Sequence, residues 1–140
     1  MTLHLLKLAV GIEHLDDLKA RQNKFVSASG NYQHTTRMFP KREAELLDGG
    51  SMYWVIKRLV TVRQPILALH RETDPNGRGY CLIELAPKHI LVAPQRKRPF
   101  QGWRYYKPED APADLDSQDG YIDPDMPDDM RAELSRIGLI

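Results

Sequence analysis

In TLHLLKLAV, Leu3, Leu5, Lys7 and Ala9 alternate with His4, Leu6, Leu8 and Val10, and both sets are largely apolar. That pattern predicts a strand inside a sheet, because an edge strand would show one polar face. Gly11 releases the chain into IEHLDDLKARQNKF, where Leu15, Leu18 and Phe25 fall near one helical face and Gln22 interrupts it. Asp16 and Asp17 come early in this helix and Lys19, Arg21 and Lys24 late, which complements the helix dipole. VSASGNYQHTTRM is small and polar and reads as an irregular connection. Pro40 suits the first position of a short helix through KREAELLDGG, which Gly49 and Gly50 close.

SMYWVIKR is a strand with Met52, Trp54 and Ile56 on one face and Tyr53, Val55 and Lys57 on the other. LVTVRQPILALHR continues as an extended run in which Pro65 marks an edge or a bulge. The turn DPNGRG then returns the chain as a hairpin into GYCLIELA, whose Cys81, Ile83 and Leu85 share a face. HILVA is a further short strand ended by Pro94. After Asp110 a polar linker, APADLDSQDGYIDPDMP, leads to a last helix, PDDMRAELSRIG, with Met130, Leu134 and Ile137 as its apolar stripe. The predicted fold is α+β: a small mixed or mainly antiparallel sheet, curled toward a partly closed barrel, with two or three packed helices. Residues 1–110 are expected to form one basic domain, and 111–140 an acidic linker and a helix docked on it.

Charge adds what periodicity does not show. The formal net charge is only +1, yet residues 1–108 carry eighteen Lys or Arg against nine Asp or Glu, and residues 109–140 carry two against ten. A basic body favours polyanionic partners through its long-range field, and an acidic tail either shields that surface or keeps the chain soluble. The single cysteine, Cys81, excludes an internal disulfide and suits a reducing compartment. MTLHLLKLAV is too short to span a bilayer and lacks a basic leader, so the expected location is the cytoplasm and no membrane partner is expected.

No catalytic motif names an activity. His4, His14, His34, His70 and His89 are scattered without HExxH or CxxC spacing, and there is neither a GxSxG elbow nor a phosphate-binding GxxxxGK loop. No metal or cofactor is therefore expected. Cys81 alternates with Ile83 and Leu85, which makes it a buried structural thiol before it is a nucleophile.

The chemistry-bearing stretch is RKRPFQGWRYYK. Arg96, Lys97, Arg98, Arg104 and Lys107 suit phosphate contacts, and Trp103, Tyr105 and Tyr106 suit stacking on bases. Phe100 and Trp103 have a competing role as anchors of a long connection. A second basic set, Arg37, Lys41 and Arg42, surrounds Pro40, and together the two sets would form one anion-binding groove.

HLLKLAVG, HTTRMFPKR, ELLDGGSMYWVIK and RPFQGWRYYKPEDAP resemble the successive blocks of an uncharacterised family of small alphaproteobacterial proteins, a domain of unknown function. The resemblance covers residues 4 to 113, extends little into the acidic tail, and implies a bacterial cytoplasmic protein without supplying an activity. The order of elements is also similar, more weakly, to the PUA-like small barrels, which include RNA-binding and modified-base-reading domains. The leading expectation is an RNA- or nucleotide-binding module without catalysis, with RNA or another polyanion as partner. Its alternatives are an enzyme acting on a small anionic or nucleotide-like substrate near His34 and Arg37, and a structural adaptor working through the acidic tail.

Overall fold

The computed structural model describes residues 1–115 and 127–138. Its organising element is β4 (Leu59–Thr73), a strand of 15 residues. The first half of β4 pairs antiparallel with both β3 (Ser51–Ile56) and β6 (Ile90–Arg96), and its second half pairs with β5 (Gly79–Leu85). Pro65 sits where the partners change: it is opposite Ser51, and the next residue, Ile66, opposes Leu85. A proline fits this junction because it withholds the amide that either ladder would use.

Two strands complete one side and one strand the other. β1 (His4–Leu8) lies between β3, to which it is parallel, and β7 (Trp103–Tyr106), to which it is antiparallel. β2 (Tyr32–Thr36) adds to the free side of β5. The order is β2-β5-β4-β3-β1-β7, with β6 on β4. No ladder joins β2 to β7 among the described residues, so the sheet is open rather than a closed barrel. The fold is α+β with a mixed, mostly antiparallel sheet, and a parallel β1–β3 pair requires a long crossover. That crossover holds α1 (Leu15–Gln22), β2 and α2 (Glu43–Leu46).

The two faces of β1, β3 and β7 bury different clusters. Leu3, Leu5, Met52, Trp54 and Ile56 join Ile83, Leu85, Leu18 and Leu46 in the main core. Leu6, Tyr53, Val55 and Val60 form a second cluster on the other face with Val92, Phe100 and Tyr106. β1 is thus apolar on both faces because it is covered on both. The last helix, α3 (Asp128–Arg136), sends Leu134 and the following Ile137 into the main core, both fully buried. Its end also meets α1, where the Leu15 amide donates to Ile137 O at 2.8 Å.

Several sequence expectations change. VSASGNYQHTTRM contains β2, so His34 is a strand residue and not a loop one. RPFQGWRYYK contains β7. α1 stops at Gln22, which is buried, and Phe25 lies beyond it and is exposed. Pro40 precedes α2 by three residues, Arg42 being the N-cap. β6 runs through Pro94 to Arg96. Residues 111–115 of the expected linker are fastened to the sheet: Asp114 bridges to Val92 and pairs with Arg63 through both carboxylate oxygens at 2.7 Å. Residues 116–126 of that linker lie outside the described residues.

Two backbone positions are costly. β3 and β4 are joined by a two-residue turn in which Lys57 (φ 48°) and Arg58 (φ 68°) are both left-handed, at about 1–2 kcal/mol each for a residue with a side chain. Gly50, by contrast, has no tolerable substitute: a methyl there would overlap the carbonyls of Leu3 and Leu46.

Candidate functional site

Between α1 and the sheet lies a cavity of about 240 Å³. Its buried lining comes from Ala9 after β1, Leu18 and Gln22 of α1, Trp54 of β3 and Leu85 of β5; Lys7, Tyr32 and His34 are half-buried, and Arg21, Phe25 and Thr35 are exposed. Local sequence places each group. Lys7 falls on the core face of β1 by alternation, opposite Trp54 on one side and Trp103 on the other. His34 falls on the same inward phase of β2 as Tyr32. Arg21 lies back over Gly11, whose positive φ of 75° and missing side chain leave it room.

A chain of amides fixes the interior. His89 Nε2 donates to Gln22 Oε1 at 2.6 Å, Gln22 Nε2 donates to Gln64 Oε1 at 2.6 Å, and Trp54 Nε1 donates to the same oxygen at 2.8 Å. Gln64 Nε2 donates onward to Ala86 O at 3.2 Å. Every amide end has one compatible role, so neither glutamine can flip and the indole of Trp54 is held in place.

The charge lining this cavity is of one sign. None of its lining residues is a carboxylate, and neither Lys7 nor Arg21 has a carboxylate partner among the described residues. Burial lowers the Lys7 pKa from its ordinary value. Burial first, then the charges of Lys7 and Arg21, pushes His34 down to about 4, so its ring is neutral at pH 7. That ring meets Trp54 edge-on, centroids 5.4 Å apart, and its Nε2 is buried with no hydrogen-bond partner among the described residues. A cavity with rings, unpaired cations and no carboxylate is suited to a planar group carrying negative charge.

Nine of the eleven residues expected from the sequence fall in four places. Lys41, Arg42, Trp103 and Tyr105 come together: Tyr105 Oη accepts from the amides of Lys41 (2.8 Å) and Arg42 (3.1 Å), and Trp103 Nε1 donates to Met38 O at 2.9 Å. The Arg42 guanidinium lies 5.6 Å from the Tyr105 ring centre but also donates from Nε and Nη2 to the two carboxylate oxygens of Glu45. These bonds fasten the loop after β2 to β7, across the open side of the sheet. Arg104 and Tyr106 point to the opposite face, where Arg104 stacks on Phe100 at 4.7 Å and Lys97 lies 5.4 Å from the Tyr106 ring. Tyr106 is a buried ring of the second cluster, set edge-on to Tyr53, its hydroxyl bound to Gln95 and its pKa pushed up to about 12 by burial. Arg96 pairs with Asp129 of α3 at 2.6 Å. Arg37 pairs with Asp74 at 3.0 Å, at the β4–β5 turn and away from the His34 cavity. Arg98 and Lys107 are exposed.

Sequence reasoning missed Lys7, Arg21 and Trp54 as site residues. The available signal was a lone lysine at an inward position of a strand otherwise apolar on both faces. Cys81 is buried, with burial raising its pKa to about 11. Among the described residues no group of three or more His, Cys, Asp or Glu side chains is placed to hold a metal ion, and no helix is long and apolar enough to cross a membrane.

No curated protein and no solved structure matches the chain. A family described as "Protein of unknown function (DUF1489)" does match, and its match reaches past the blocks at residues 4 to 113 into the acidic tail. With residues 5–140 covered, the chain belongs to that family.

Proposed function

We propose that the protein is a binding module for a nucleotide, free or within RNA, and that the cavity under α1 receives the base. The observation that carries this reading is the pairing of Trp54, His34 and Tyr32 with two cations, Lys7 and Arg21, that have no carboxylate counterpart among the described residues. At about 240 Å³ the cavity falls below the usual range of about 300–1,000 Å³ for drug-sized ligands, which favours a single planar ring system over an extended molecule. The row Trp54–Lys7–Trp103 crosses three adjacent strands, so a chain leaving the cavity would pass Lys7 and reach Trp103 beside Lys41 and Arg42. Those residues, with Tyr105 as scaffold, are the part of the sequence-expected groove that this reading retains. The likeness to PUA-like domains is in keeping with it and rests on element order alone.

The test uses Trp103→Phe protein, in which Trp54 is the remaining indole. Nucleoside monophosphates and single-stranded oligoribonucleotides are titrated while Trp54 emission is followed. The expected result is a saturable change, with affinity at least about tenfold weaker in Lys7→Ala and in Arg21→Ala, as loss of a charge-assisted contact predicts. Emission indifferent to every nucleotide and oligonucleotide would sink the reading. The competing enzyme reading draws on neutral His34 beside cationic Lys7. Conversion of bound nucleotide that His34→Gln abolishes would put it first; nucleotide recovered unchanged would remove it.

A further inference from the structure

The turn between β3 and β4 is built from residues that its geometry disfavours. A two-residue hairpin with both residues at positive φ favours Asn-Gly, whereas here the pair is Lys57–Arg58, at φ 48° and 68°. Residues held in such conformations cluster at functional sites, where surrounding structure over-determines them. That support is visible: Ile56 pairs with Leu59, Leu59 with Arg96, and the Lys97 amide donates to Arg58 O at 2.8 Å. The turn is therefore a rigid mount for two exposed cations.

It also faces a hollow. Between the turn and α3 lies an open space of about 430 Å³, bordered by Lys57, Arg58, Arg96 and Arg136 and by two carboxylates, Asp129 and Glu133. Each carboxylate already holds one guanidinium, Asp129 that of Arg96 and Glu133 that of Arg136. Lys57 has only Glu13, at 3.9 Å, and Arg58 has no carboxylate partner among the described residues. Among the described residues Arg58 thus has no carboxylate and Lys57 only a distant one, and the two stand together in one concave place, in a geometry that a lysine and a forked guanidinium share well with phosphate oxygens.

We infer that this hollow is a second binding site, that its ligand group is a phosphate ester, and that Lys57 and Arg58 make the principal contacts. Arg96 and Arg136 line the same space and supply further donors. The site shares no residue with the cavity under α1, so it stands or falls apart from the reading of that cavity. Its phosphate comes either from a nucleic-acid backbone or from a small phosphorylated molecule, and the two sources separate in the test.

The informative variant is the double substitution Lys57→Asn and Arg58→Gly. It removes both cations and installs the pair this turn favours, so the hairpin is kept and the thermal midpoint should hold or rise. Full-length native and variant proteins are titrated with inorganic phosphate, followed by amide NMR, and with short single-stranded oligouridylate, followed by fluorescence anisotropy. The expected result is movement of the Lys57 and Arg58 amides in the native protein and binding at least about tenfold weaker in the variant. For the oligonucleotide, the salt slope should become shallower by about 1.4, two single-strand contacts at about 0.7 each. Response to both probes assigns the backbone of a nucleic acid; response to inorganic phosphate alone assigns a small phosphate ester, and the site stands either way. Amides that neither probe moves, or a variant that binds as tightly as the native chain, would overturn it.

Discussion

His34 is one of the places where acid acts on this fold. Its pKa is about 4 in the folded chain against an ordinary 6.5, so between those values the unfolded chain takes up a proton that the folded chain refuses. Proton uptake by the unfolded state alone favours unfolding, and the contribution is intact only above about pH 6.5. Between pH 7 and pH 5 it should cost on the order of 2 kcal/mol. Urea unfolding at the two pH values checks this: His34→Phe should lose less stability than the native chain over that interval, and an equal loss in both would refute the assignment. His89 is depressed the same way, to about 4, mainly by burial, and its share persists in the variant. None of this could be read from QHTT, where a histidine in a polar run looks like a loop side chain. Its burial comes from Trp54, twenty residues on and across the core.

Among elements, α3 was legible because its stripe was complete. Met130, Leu134 and Ile137 keep helical spacing, Gly138 ends the helix with φ 84°, and Leu134 and Ile137 are indeed fully buried. Leu134→Ala should cost about 3 kcal/mol, as a cavity in a packed core does, measured as a lower urea midpoint at unchanged slope. A loss under 1 kcal/mol would mean that the helix is only loosely seated. β2 and β7 were illegible for the opposite reason. β2 is an edge strand of mainly polar residues, so its alternation carries no hydrophobic contrast. β7 covers both faces of an edge with aromatic rings, Trp103 and Tyr105 on one side and Tyr106 on the other, so its pattern looks like a cluster rather than a strand. Strand propensity in Tyr, Trp and Thr was the remaining clue.

At the scale of the molecule, the described part of the acidic tail meets the basic body directly. Asp114 returns to Arg63 and Asp129 to Arg96, so acidic residues of the tail neutralise basic residues of the body. Counting charges along the chain identified a basic body; it could not show that Arg37, Arg42 and Arg96 already have carboxylate partners while Lys7 and Arg21 have none among the described residues. Ion pairing across long sequence separations is a property of the fold, and the candidate site depended on it.

β4 carries a last consequence. Because one continuous strand supplies hydrogen bonds to β3 and β6 at one end and to β5 at the other, neither half of the sheet has a private hinge. Opening should be cooperative across the whole strand. Native-state hydrogen exchange then has a definite expectation: the amides of Val62 and Leu69, which pair in different halves, should share one opening free energy and respond together to denaturant. Two distinct opening energies would show that the strand yields at Pro65, and that the protein comes apart in two steps rather than one.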